Sequence, residues 1–175
     1  MEPVTKSLLI ITGAMGAGKT AVLAEASDIL ALRRIAHAAI DLDALALAHL
    51  PSVARNDDVM YRNLRSVCKN YASVGVQRFL MARAMEGRDE LKLCRGIVSA
   101  ADTVVCRLTG SLDVMQRRVK MRESGVLQQK YVAHVARLNM ILDHARMEDF
   151  TVISENRSST EVAHEMLVKA AWISS

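Results

Sequence analysis

Gly13-Ala14-Met15-Gly16-Ala17-Gly18-Lys19-Thr20 constrains this chain more than any other stretch. Its three glycines lie within six residues. They let the backbone curl until successive N–H groups point into one concavity. The preceding run Leu8-Leu9-Ile10-Ile11 reads as a buried strand. The following segment, Thr20–Leu32, carries Val22, Ala26, Ile29 and Leu30 at helical spacing. A helix that opens directly on a glycine loop adds its own partial positive charge to the concavity. The segment fits G-x-x-x-x-G-K-[ST] at every fixed position, in the strand–loop–helix context that pattern requires. The implied ligand is a nucleoside triphosphate such as ATP. Gly13, Ala14, Met15, Gly16, Ala17 and Gly18 would wrap its phosphates, Lys19 would bridge the β- and γ-phosphates, and Thr20 would offer its hydroxyl to Mg²⁺.

The rest of the chain repeats the alternation that begins there. Apolar runs at Leu8–Thr12, Ala36–Ile40, Phe79–Ala82, Thr103–Leu108 and Phe150–Ile153 are short, and most are continuous rather than alternating. That pattern predicts parallel strands covered on both faces. Helical patterns fall over Asp58–Val74, with Gly75 as its stop, and over Gly125–Arg146. Ser158 followed by Glu161 reads as a capping box opening a last helix, with Val162, Met166, Leu167 and Ala170 facing inward. With no linker or repeat, residues 1–175 are expected to form one three-layer α/β domain with right-handed crossovers.

Composition narrows the partners. Half the chain is apolar, 51%, enough for a substantial core, while aromatics at 3% leave too few side chains for a base-stacking platform. A net charge of +4 suits a phosphorylated ligand without calling for a nucleic acid. The three cysteines are too few and too scattered for a disulfide framework or a zinc site, and the five histidines show no ligand spacing. The ten methionines read as core filling, and Trp172 as packing for the last helix. No apolar stretch reaches membrane-spanning length and no signal peptide is evident, so the expected setting is the cytoplasm, with no membrane partner.

Four landmarks taken in order resemble the small P-loop kinases, the group that includes nucleoside monophosphate, shikimate, gluconate, adenylylsulfate and antibiotic kinases. They are the Gly13–Thr20 loop, the acidic pair in Ile40-Asp41-Leu42-Asp43, the segment from Arg107-Leu108-Thr109-Gly110 to Arg117-Arg118-Val119-Lys120-Met121-Arg122, and the run from Ile153 to Ala163. The resemblance implies a five-stranded parallel sheet in the order 2-3-1-4-5 and a lid near residues 115–130. It also implies Mg²⁺-dependent transfer of the γ-phosphoryl group of ATP to a small acceptor.

Site roles follow from that resemblance. Asp41 and Asp43 are expected to point to different sides, Asp41 to the metal and Asp43 to the acceptor as its orienting group or general base. Arg118 and Arg122, four apart on one helical face, would neutralise charge on the transferring phosphoryl group. Leu112, Met115 and Val119 would anchor that helix. Asn156 and Arg157 would line the base, and Arg62 and Arg65 would stand on the acceptor wall. The segment Phe79–Met85 lacks the acidic residue many nucleotide kinases carry after a central strand, and no acceptor-defining signature is complete. The acceptor therefore stays open. So do a nucleotide-dependent switch with slow ATPase activity and a protein partner, and a kinase acting on antibiotics or nucleic-acid ends.

Overall fold

A computed structural model describes residues 5–51 and 55–174. Its strands are β1 (Ser7–Thr12), β2 (Ala38–Asp41), β3 (Arg78–Ala82), β4 (Asp102–Thr109) and β5 (Phe150–Ile153). Its helices are α1 (Lys19–Leu32), α2 (Asn56–Ser73), α3 (Arg88–Val98), α4 (Leu112–Arg122), α5 (Gln128–Ala145) and α6 (Ser159–Lys169), with a 3₁₀ turn at Asp43–Ala46. The strands form one sheet in the order β2-β3-β1-β4-β5, every neighbouring pair parallel. The expected order is thus observed.

The continuous apolar strands have a direct physical cause. Leu9 and Ile11 of β1 face a core shared with Leu80, Cys106 and Val152 and with residues of α1, α4, α5 and α6. Leu8 and Ile10 face the opposite core, with Phe79, Met81 and Ile40 and with Met60, Leu64 and Cys68 of α2. Successive side chains of a strand point to opposite faces. A strand buried on both sides therefore has no polar alternation to show. Met60, Met81, Met85, Met115 and Met166 are all buried, and Trp172 packs beside α6 in the first core.

Several boundaries differ from the sequence reading for local reasons. β2 begins at Ala38, not Ala36, because Ile35 N–H still bonds back to Leu30 O and the His37 ring pairs with Ile35 O. On α2 the fully buried stripe is Met60, Leu64 and Cys68, with Val67 packed at its edge. Leu112, expected to anchor α4, is 40% exposed in the first turn, whereas Met115 and Val119 are buried. α3 was not expected at all. Its helical signal is short, Leu91, Cys94 and Val98 behind Asp89 and Glu90 in the first turn, and Gly96 interrupts it.

The three cysteine thiols are buried and free, and burial pushes Cys68 up to about 11 and Cys94 and Cys106 up to about 12. They stay protonated and unreactive near neutral pH. Among the described residues no helix is long and apolar enough to cross a membrane.

The expected capping box is present. Ser158 Oγ accepts from Glu161 N–H, and the Glu161 carboxylate accepts from Ser158 N–H at 2.8 Å. Replacing Ser158 by Ala removes one half of it. The expected cost is about 1 kcal/mol of folding stability, read as a lower urea midpoint at unchanged slope.

Candidate active site

The glycine loop lies at the C-terminal edge of the sheet, where open parallel α/β folds bind ligands. Gly16 (φ +79) and Gly18 (φ +95) take left-handed conformations, and Gly18 caps α1 without a side-chain hydrogen bond. α1 carries no acidic residue in its first turn. By contrast, α4 and α6 are capped by Ser111 and Ser158. The first-turn amides of α1 have no partner within the helix, which leaves them for an anion.

Lys19 Nζ donates to Gly13 O at 2.9 Å and to Ala14 O at 3.1 Å, so the ammonium is folded over the loop. Burial lowers its pKa, while Asp43 and Asp41 pull the other way. An arriving polyphosphate raises it again. Triphosphate binding should therefore take up a proton, and affinity should fall as pH rises through the depressed pKa of the free protein. Calorimetry at alkaline pH in buffers of different ionisation heat would read the uptake, which should vanish in Lys19→Met.

Thr20 Oγ1 donates to Asp41 Oδ2 at 2.7 Å. A hydroxyl and a carboxylate oxygen side by side at the loop are hard donors of the kind Mg²⁺ accepts. The residues present fit the ion. Asp41 Oδ1 also accepts from Asp43 N–H at 3.1 Å. Residues two apart on one strand share a face, so strand alternation cannot separate Asp41 from Asp43. The separation arises because β2 ends at Asp41 and Asp43 opens the 3₁₀ turn.

One cavity of about 560 Å³ is lined by Met15, Gly16, Gly18, Lys19, Thr20, Asp43, Arg118 and Arg122, among others. Arg118 spans the loop and the end of β5. Its Nη1 donates to Gly16 O at 3.2 Å and to Ser154 Oγ at 3.3 Å, and its Nη2 donates to Ser154 O at 2.9 Å. Arg122 stays 61% exposed and pairs with Glu123 at 2.8 Å. A smaller cavity of about 250 Å³ continues past Gly18 between Val22, Arg118, Ser154, Arg157 and Val162. Arg157 lines it while pairing with Glu165 at 2.5 Å, whereas Asn156 sits outside it in a turn with φ +55. Arg62 and Arg65 are exposed on α2 and line neither cavity, and among the described residues neither side chain has a polar partner. A larger cavity of about 620 Å³ lies between Glu86–Arg88 and the end of α5, but it contains no residue of the glycine loop. Lys19, Thr20, Asp43, Arg118 and Arg122 converge instead on the cleft of about 560 Å³.

The sequence reading passed over Arg83. It follows β3 directly, and its side chain, 15% exposed, pairs with Asp43 at 3.3 Å, Asp57 at 3.0 Å and Glu90 at 3.5 Å. Glu90 in turn accepts from Tyr61 Oη at 3.0 Å and from Glu86 N–H at 2.8 Å. Burial, reinforced by Glu90, pushes the Tyr61 phenol well above its ordinary value. A cation immediately past a buried central strand was the available signal.

No protein-family model matches the chain, and no curated protein matches it. Solved structures do match its fold, which is that of the small P-loop kinases. A shikimate kinase from Acinetobacter baumannii, solved with shikimate, superposes with a TM-score of 0.62 at 16% identity, covering 96% of this chain and 94% of that one. A gluconokinase from Sinorhizobium meliloti 1021 gives 0.61 at 18% identity, with 98% and 94% covered. The Mycobacterium tuberculosis APS kinase, solved in complex with AMPPNP and APS, gives 0.56 at 17% identity, with 97% and 99% covered. At these identities the likeness is one of fold.

Proposed function

We propose that this protein is a Mg²⁺-dependent phosphotransferase that moves the γ-phosphoryl group of ATP to a small hydroxylated or phosphorylated acceptor. The observation that carries this reading is a single cleft lined by Lys19, Thr20, Asp43, Arg118 and Arg122, with Asp41 bonded to Thr20. The loop amides and Lys19 hold the β- and γ-phosphates, and the base occupies the smaller cavity beside Arg118 and Arg157. Thr20 and Asp41 would hold Mg²⁺, which would supply charge neutralisation at the phosphate oxygens. Asp43 orients the acceptor hydroxyl and takes its proton as the acceptor oxygen bonds to the γ-phosphorus and the bond to the ADP oxygen breaks. Arg118 and Arg122 offset the negative charge on the phosphoryl group in flight.

The likeness to a shikimate kinase, a gluconokinase and an APS kinase supports small-molecule acceptors as the first to try. The test is ADP release from Mg·ATP across a panel of sugars, hydroxy acids, nucleotides, adenylylsulfate and aminoglycosides. Acceptor-dependent release is the expected result. Slow release that no acceptor accelerates would point instead to a nucleotide-hydrolysing switch.

A further inference from the structure

The Arg83 guanidinium ties three elements to one point. Nη1 donates to Asp43 Oδ1 at 3.3 Å, just past β2, and contacts Met60 Sδ at 2.9 Å. Nη2 donates to Asp57 Oδ1 at 3.0 Å, in the first turn of α2. Nε is buried without a hydrogen bond, its nearest acid being Glu90 Oε1 of α3 at 3.5 Å. The Arg83 backbone is fixed too, its N–H bonding to Ile11 O of β1 just before the glycine loop. Burial opposes its charge, but Glu90, Asp57 and Asp43 together outweigh that opposition.

Asp43 is held at two places and open at a third. Its N–H is bound by Asp41 Oδ1, its Oδ1 is bound by Arg83, and its side chain remains 65% exposed. Oδ2 has no partner among the described residues, and Asp43 lines the cleft that holds Lys19. One oxygen is thereby clamped, which sets the rotation of the carboxylate and leaves the other oxygen for a ligand. The contacts run without a break from Thr20 through Asp41 and Asp43 to Arg83, and from there to Asp57 and Glu90. A planar fork with separate N–H directions can hold two carboxylates at once, which the point charge of a lysine cannot reproduce.

We infer that Arg83 is a positioning residue for phosphoryl transfer. It fixes the Asp43 carboxylate so that Oδ2 meets the acceptor hydroxyl, and it references that carboxylate to α2 and α3. The inference rests on the phosphotransfer reading above. Because Arg83 is already paired with three carboxylates, it acts on the acceptor through Asp43, not by binding an acceptor anion.

The test uses the full chain and an acceptor from the panel, comparing wild type, Arg83→Gln, Arg83→Lys, Asp43→Asn and the Arg83→Gln/Asp43→Asn double variant. Arg83→Gln should lower acceptor turnover about 10²-fold, the scale of an ångström-sized misplacement. KM for Mg·ATP should stay within about twofold, since Arg83 touches no loop side chain. Arg83→Lys should recover part of the loss. In the Asp43→Asn background, Arg83→Gln should add little, because Arg83 acts only through that carboxylate. Undiminished turnover in Arg83→Gln, or losses that multiply in the double variant, would overturn the positioning role. So would parallel loss of ATP affinity and turnover, the mark of general collapse, if Arg83→Lys shares it. A wild type inert to every acceptor would overturn the phosphotransfer reading itself, a result distinct from these.

Discussion

Lys19→Met is expected to abolish nucleotide-dependent turnover while leaving the fold intact. The half-buried ammonium has its pKa lowered by burial, so the free protein gains little by keeping a charge there. Its two hydrogen bonds go to Gly13 O and Ala14 O, loop carbonyls whose positions are also set by the flanking strand and helix. Methionine, one atom shorter, keeps the flexible unbranched shape of the side chain, so the melting temperature without ligand should barely move. With ligand the two proteins should part. Mg·ATP should raise the wild-type melting temperature by mass action and leave the variant's unchanged. Turnover should fall by at least about 10³-fold, the upper scale for removing one preorganised electrostatic group. A thermal-shift titration beside an ADP assay reads both effects.

Gly16→Ala should be the most damaging single-methyl change in the loop. Gly16 has φ +79, and a Cβ built there would lie well inside 3.0 Å of the Met115 carbonyl of α4. Backbone cannot swing aside as a side-chain tip can, so α4 must shift. Arg118, which donates to Gly16 O, must shift with it. Left-handed strain and overpacking together predict a loss of about 3 kcal/mol in folding stability, with nucleotide affinity falling as the loop and α4 separate. Gly18→Ala separates the two contributions. Its φ is +95 but its Cβ would meet nothing within 4 Å, so strain alone applies, roughly 1 kcal/mol. Urea midpoints of the two variants measure the difference.

These cases show what the sequence could and could not disclose. The Gly13–Thr20 loop was legible because its chemistry is local, with strand, glycines, lysine and helix consecutive in the chain. The sheet was legible because strands buried on both faces must be continuously apolar, as in Leu8–Ile11 and Phe79–Ala82. The order of the strands came only from likeness to a family, since periodicity carries no information on which strand lies beside which. Arg83 was illegible for the opposite reason. Its partners Asp43 and Asp57 are 40 and 26 residues away in sequence, and only the packing of β3 against β2 and α2 brings them together. Arg118 also looks different in place. Helical spacing groups it with Arg122, yet the fold gives it three hydrogen bonds to the loop and Ser154 while Arg122 remains largely exposed. α3 escaped notice because only Cys94 and Val98 are fully buried on it.

The most direct test of the central claim is to follow the γ-phosphoryl group itself by phosphorus-31 NMR in a mixture of the protein, Mg·ATP and pooled candidate acceptors. A phosphorylated-acceptor resonance should grow with ADP in wild type, and should be missing with Lys19→Met. Inorganic phosphate appearing in step with ADP, with no phosphorylated acceptor formed, would contradict phosphotransfer and leave the cleft as that of a hydrolase.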